Sequence, residues 1–294
     1  MPEAPANLLV CGIAVLDHVH RMDVLPRGGL KHRSRAHEVI GGGCGANAAV
    51  AAARLGGAVT LCVRLGADAA GDALAGLLAG RGPVLACPRG GRQPVSAVMI
   101  DAGGERMIVN YPGANLPEAV PDLPACDAVL TDGRWPAAAR AALADAARRG
   151  VPAVLDAERH VPPDLAAMAT HVVFSAPGLR DFAGTADLDA ALGAAAARLP
   201  GRVGYTDGPR GVAWDDGATH PASPVAAVDT LGAGDVWHGA FALALARGLD
   251  LGAASRAANA AAAAKCARAG GWDAYPTAAD MAGMAALPSP GAHL

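Results

Sequence analysis

Short, mostly apolar runs alternate with longer alanine-rich stretches along most of this chain, and few architectures accommodate that rhythm. Residues 7–15, 58–64, 127–131, 153–156 and 171–175 read as strands. None shows the polar–apolar alternation of a sheet with one wet face, so each is expected to be covered on both sides. Residues 47–55, 71–79, 136–149, 188–199, 233–247 and 252–269 read as helices, the third with proline in its first turn. Strands alternating with helices at this spacing predict an α/β fold with a mainly parallel central sheet and helices on both faces.

Two segments break the rhythm. Residues 17–40 hold Pro26, Gly28 and Gly29 between two extended runs, and residues 92–112 hold two strands joined by Asp101-Ala-Gly-Gly, a hairpin signal. Strands without helices predict a small β-sheet standing apart from the main one. We read it as a lid made of two excursions (about 17–40 and 92–112) from one domain spanning residues 1–294. There is no internal repeat, and residues 288–294 read as a frayed tail.

Composition removes several classes of function. With 52% hydrophobic and 17% charged residues the chain is not expected to be disordered. A net charge of −3 without a basic block gives no nucleic-acid surface. No stretch approaches the roughly 20 strongly apolar residues of a membrane span, and the first residues do not form a signal peptide. A cytoplasmic protein is expected. Six scattered cysteines contain no C-x-x-C pair and read as buried, reduced thiols. His18 and His20 would point the same way on a strand, but no third ligand can be named nearby, so no metal site is read. Only Lys31 and Lys265 of the 24 basic residues are lysines, which marks both as positions where a compact ammonium is wanted.

The strongest local signal runs from Val228 to Phe241: an extended segment, a glycine turn at Gly232 and Gly234, then a long helix. The first N–H groups of a helix have no internal acceptor, and its dipole favours negative charge there. Asp235 at the helix start is therefore a carboxylate beside an anion hole. Phosphoryl transfer needs that pairing, with a base to accept a hydroxyl proton and dipoles to hold the phosphoryl oxygens. Taken alone, the same residues also describe an N-capping aspartate in a structural turn. Residues 43–48 match the G-x-G-x-x-A of dinucleotide sites, but the acid that such a site needs is replaced by Arg64, and no Walker loop occurs.

Four motifs in order resemble the ribokinase-like (PfkB) sugar kinases. Asp229 to Asp235 matches D-T-x-G-A-G-D without a gap, and the segment from Gly41 to Gly56 resembles the G-G-x-x-x-N-x-A…L-G element. Tyr205-Thr-Asp-Gly-Pro-Arg-Gly resembles the nucleotide-contacting T-x-G-x-x-G, and residues 259–270 resemble the helix and turn that flank adenine. The resemblance implies a ribokinase-like three-layer α/β/α fold and an ATP-dependent kinase that uses Mg2+. Asp235 would be the base, with Gly232, Ala233 and Gly234 as the anion hole. Asp17, Gly42, Gly43 and Asn47 would hold sugar hydroxyls. Thr206, Gly208, Gly211, Asn259 and Lys265 would line the ATP site. Where many members carry N-x-x-E near a magnesium-bound phosphate, this chain has Ser175-Ala-Pro-Gly178, so Mg2+ is expected to arrive bound to ATP and no protein ligand to it is named.

Further segments, among them Leu25-Pro-Arg-Gly-Gly-Leu-Lys31, Asn110-Tyr-Pro and Gly133-Arg134-Trp135, are similar to the bacterial sulfofructose kinases, which phosphorylate O1 of 6-deoxy-6-sulfofructose. By that resemblance Lys31, Asn110 and Arg134 would grip the sulfonate, although Asn47 is more like ordinary sugar kinases. The substrate expected is a ketohexose with an anionic C6 group. A fructokinase or ketohexokinase, a sugar-phosphate kinase, and a silent sugar- or nucleotide-binding protein are the alternatives. Trp135 and Trp237 are expected to serve packing, and exposed lid edges to pair two copies into a homodimer.

Overall fold

A nine-stranded sheet forms the centre of the computed structural model, which describes residues 5–285. The strands are β1 (Asn7–Cys11), β2 (Val15–Arg21), β3 (Ala36–Gly42), β4 (Ala58–Cys62), β5 (Val84–Ala86), β6 (Val95–Ile100) and β7 (Arg106–Tyr111), followed by β8 (Ala128–Thr131), β9 (Ala153–Ala157), β10 (His171–Ser175), β11 (Arg202–Thr206), β12 (Val212–Trp214) and β13 (Thr219–His220). The helices are α1 (Cys44–Arg54), α2 (Ala69–Leu78), α3 (Pro136–Arg149), α4 (Pro163–Ala166), α5 (Ala176–Ala183), α6 (Leu188–Ala196), α7 (Ala233–Ala246), α8 (Leu251–Cys266) and α9 (Ala278–Ala285). The large sheet runs β13-β12-β11-β10-β9-β8-β1-β4-β5, parallel from β11 to β5.

Burial on both faces explains the continuous apolar runs. Along β1, Leu8 and Val10 join one core while Leu9 and Cys11 join the other. The same alternation sends Val154 and Val173 to the first core and Leu155 and Phe174 to the second. Alanine in the helices allows close approach: a Cβ on Gly239 of α7 would overlap the backbone of Ala48 in α1. Local signals fix several helix ends. Asp250 caps α8 through Ala253 N (2.7 Å), and α3 begins on Pro136 and ends at Gly150 in the left-handed region (φ 68°).

The small sheet has the order β3-β2-β6-β7, its strands drawn from residues 15–42 and 95–111. The strand expected over residues 7–15 is in fact two. β1 stops at Cys11 and β2 opens the second sheet at Val15, because Leu16 N turns to bond Pro94 O (3.0 Å) beside β6. The segment 175–178 is not a loop: Ser175 caps Gly178 N (3.1 Å) and starts α5. The tail at 288–294 lies outside the described residues. Among the described residues no helix is long and apolar enough to cross a membrane.

Candidate active site

Ligands of open α/β sheets bind beyond the carboxyl ends of the strands, where the strand order reverses. Here that point is β1, between β8 and β4, and two adjoining cavities open there beneath the small sheet. One, of about 160 Å³, is lined by Asp17, Gly42, Gly43, Asn47, Gly232 and Asp235, together with Trp272's neighbours Gly270 and Gly271 and the ring of Tyr275. The other, of about 590 Å³, shares Asp17, Gly43 and Cys44 with the first and extends to Ser96, Asn110, Arg64 and Arg134. A third cavity, of about 520 Å³, lies on the far side of the glycine turn. Thr206, Gly208, Gly211, Ala233, Gly234, Trp237 and Asn259 line it.

The turn is the wall between them. Gly232 adopts φ 76° as the N-cap of α7, a conformation open to glycine and costly for other residues. Ala233 N bonds back to Thr230 O (3.3 Å) and Val236 N to Gly232 O (3.0 Å). The N–H groups of Gly234 and Asp235 lie between these two and remain for a ligand. Gly234 faces the third cavity and Asp235 the first, so one helix N-terminus serves both.

Asp235 is held and tuned. Asn47 Nδ2 donates to its Oδ2 at 2.6 Å, and Trp272 Nε1 donates to Asn47 Oδ1 at 2.7 Å. Removal from bulk water, reinforced by the charge of Asp156, pushes its carboxyl up to about 7 despite the Asn47 bond. Across the cavity, burial pushes Asp17 up to about 6, opposed by a hydrogen bond from Ser96. The glycine run makes room for these acids: a Cβ on Gly42 would overlap Asp17 Oδ2, and Gly43 sits at φ 91°. Asn110 Nδ2 donates to Ser96 Oγ (3.1 Å) on the facing strand.

A base beside unpaired helix N–H groups, with a polar cavity on one side and a largely apolar one on the other, is the layout of a phosphoryl-transfer site. Comparison with known proteins agrees. Residues 5–278 match the sequence model of the pfkB family carbohydrate kinases. The chain is 30% identical to the ribokinase of Bacillus subtilis over 274 residues, which is 87% of this chain and 91% of that one. This is a pfkB-family carbohydrate kinase. A protein of Agrobacterium tumefaciens, provisionally assigned as a ribokinase, superposes with a TM-score of 0.88 at 35% identity, covering 96% of this chain and 97% of that one. The fold is also that of the Arabidopsis thaliana ribokinase solved with ribose and ATP (TM-score 0.84, 24% identity, 97% and 100% covered). As a member of this family, the chain is an ATP-dependent phosphotransferase acting on an alcohol group.

Within this pfkB-family kinase, the residues named from sequence fall into three groups. Asp17, Gly42, Gly43, Asn47, Gly232 and Asp235 converge on the first cavity, and Asn110 and Arg134 on its extension. Thr206, Gly208, Gly211, Ala233, Gly234 and Asn259 meet at the third cavity, although the Asn259 amide is occupied by Trp237 Nε1 (2.7 Å), His220 O and Pro221 O. Lys31 and Lys265 are elsewhere. Lys31 is exposed in the β2–β3 connection and lines none of the three cavities. Lys265 is fully buried, its Nζ 3.0 Å from both Asp229 Oδ2 and Asp229 O, so it fastens the glycine turn and lines none of the three cavities.

Sequence reasoning noted Arg64 only as the residue standing where a dinucleotide site needs an acid, and it overlooked Trp272 and Asp156. Arg64 and Asp156 sit at or just past the carboxyl ends of parallel strands, a position that could have singled them out; for Trp272 no signal existed. Trp135 and Trp237 are buried as expected, though Trp135 also carries the Arg64 guanidinium 5.1 Å above its ring. His18 and His20 do share a face, and His37 of β3 supplies a third imidazole stacked near both.

Proposed function

We propose that this kinase transfers the γ-phosphoryl group of ATP to O1 of a ketohexose carrying an anionic group at C6, with 6-deoxy-6-sulfofructose as the candidate substrate. The observation behind this reading is the lining of the 590 Å³ cavity, which includes two cationic residues, Arg64 and Arg134, together with Asn110. Arg64 is partly neutralised by Glu118 (2.6 Å). Arg134 has no carboxylate partner among the described residues, which leaves it for a ligand. Arg64 thus takes the part expected of Lys31. Each charge-assisted hydrogen bond to a tetrahedral oxyanion contributes about 1.5–3 kcal/mol.

The reaction follows from the other end. Asp235 accepts the proton of the sugar hydroxyl, the resulting alkoxide attacks the γ-phosphorus, and the O–P bond to ADP breaks. The Gly234 and Asp235 N–H groups and the α7 dipole hold the transferred oxygens. The third cavity, with its glycines and apolar walls, fits ATP. Mg2+, an oxygen-seeking ion that keeps several waters, would arrive on the nucleotide phosphates and neutralise their charge. The acid hydrogen-bonded to segment 175–178 is Glu158, through Ser175 Oγ (3.1 Å), and its carboxylate is of the right donor type for that ion. The small sheet would act as a lid that excludes water. ATP as donor suits a cytoplasmic enzyme. Exposed Val39, Met107, Val109 and Tyr111 on the lid, all in its edge strands β3 and β7, favour a homodimer formed through the lid.

Ribose is the second reading, favoured by the 30% identity to a ribokinase. A coupled ADP assay with 6-deoxy-6-sulfofructose, fructose 6-phosphate, fructose and ribose separates the two. The anionic reading expects the C6-charged ketose to have the highest kcat/KM and Arg134→Ala to lower it far more than that for fructose. Preference for ribose, or equal losses in the variant, refutes it.

A further inference from the structure

We propose that Asp132, which lines neither acceptor cavity, is the positioning residue that assembles the sugar site. This rests on the assignment of the cavities beside Asp235 to the sugar, but not on which sugar is bound. Asp132 follows β8 and is 8% exposed. Its Oδ2 accepts from Ile13 N (2.8 Å) and Gly45 N (2.9 Å), and its Oδ1 accepts from Arg134 N (2.8 Å). Those three donors belong to three separate segments that each supply lining residues to the 590 Å³ cavity, Ile13 and Arg134 directly and Gly45 through its neighbours Gly43 and Cys44. Ile13 is in the link that carries the chain from the large sheet into the small one. Gly45 is in the first turn of α1, which carries Gly43, Cys44 and Asn47. Arg134 itself lines the cavity.

No other described side chain joins all three segments, and the backbone around it is shaped to admit the carboxylate. A Cβ on Gly12 would overlap both Asp132 oxygens. The residue has to be an acid for a geometric reason. Three N–H donors converge on two oxygens, and an asparagine offers one oxygen and sets an NH2 against at least one donor. The least disruptive placement keeps the shared Oδ2 position for Ile13 and Gly45 and turns the NH2 toward Arg134 N. Asp132→Asn therefore releases Arg134 selectively. The cradle at Gly232–Asp235 and the third cavity share no hydrogen bond with Asp132, so nucleotide binding is left alone.

The test compares wild type with Asp132→Asn and Gly12→Ala, the second of which drives the carboxylate off its donors while leaving the acid in place. KM is measured for 6-deoxy-6-sulfofructose, fructose 6-phosphate, fructose and ribose, and ADP affinity is measured by calorimetry. We expect Gly12→Ala, which disturbs all three donors, to raise KM at least tenfold for every sugar the wild type turns over, and Asp132→Asn, which frees Arg134 alone, to raise it at least tenfold for the sugars that Arg134 contacts, with ADP Kd within twofold in both variants. If the anionic reading also holds, Asp132→Asn raises KM for the C6-charged ketoses more than for the neutral sugars. An equal rise for all sugars refutes that reading and retains the positioning role. Sugar KM within twofold of wild type, ADP Kd changed in parallel, or recovery of both variants only as aggregates would each overturn the proposal in favour of a purely structural acid.

Discussion

Replacing Lys265 by methionine separates a structural lysine from a nucleotide-binding one. The ammonium is fully buried and, among the described residues, bonded only to Asp229, through Oδ2 and the backbone oxygen at 3.0 Å each. Asp229 is itself 13% exposed, and it also accepts from Leu231 N (2.9 Å) and Gly270 N (3.4 Å). Burial works to raise the Asp229 pKa, but these donors and the lysine outweigh it and hold the carboxyl below its ordinary value. Methionine retains the apolar stem and strands the carboxylate. Breaking a buried pair from one side costs about 3–5 kcal/mol, and the two remaining N–H donors and the partial exposure of Asp229 favour the lower end. With an unfolding entropy of about 2.1 cal/mol/K per residue, a chain of 294 residues loses roughly 5 °C in Tm for about 3 kcal/mol. Thermal unfolding followed by circular dichroism reads that shift. Asp229→Asn combined with Lys265→Met should recover most of it, because no unpaired charge is then left inside. The ATP KM should rise less than the stability loss implies. If Tm stays within 1 °C while ATP KM rises tenfold, the lysine serves the nucleotide and the pairing argument fails.

Two further outcomes follow from Asp235. Asp235→Asn should lower kcat by about 10²–10⁴ with ADP affinity and Tm preserved, as checked by steady-state kinetics and calorimetry; turnover near wild type removes the acid from the reaction. The base must be ionised to accept a proton, and its carboxyl is pushed up to about 7. Activity is therefore present above that pH and lost as pH falls through it, tenfold per unit, on the acid limb of sugar kcat/KM. A limb that lies below pH 5 contradicts the desolvated geometry.

Much of the architecture was legible because both faces of the large sheet are buried, which writes its strands as plain apolar runs. The helix over 136–149 was bounded correctly because proline opens it and Gly150 closes it, two signals that act locally. The β1–β2 boundary was not legible. Gly12-Ile13-Ala14 continues the apolar run, and the chain changes sheets there through contacts with residues near 94, far away in sequence. The scarcity of lysine did mark a place where a compact ammonium is needed at Lys265, but its partner is a carboxylate of the glycine turn. For Lys31 the same clue led only to an exposed loop. Charge states what a side chain can do, whereas the path of a connection decides where it does it.

The glycine turn explains why its motif was readable when Trp272 was not. Residues 229–235 are contiguous, so the αL cap, the free N–H groups and the acid are all set by one short stretch of backbone. What makes the acid usable comes from elsewhere. Asn47 holds Oδ2, Trp272 fixes Asn47 from 225 residues away, and Asp156 adds the like charge. In the proposed reaction Asp235 would start with one oxygen already committed and a carboxyl poised near neutrality. A substrate hydroxyl would then meet an oriented base and not a freely rotating one, and that orientation is assembled by tertiary contacts that no local pattern encodes.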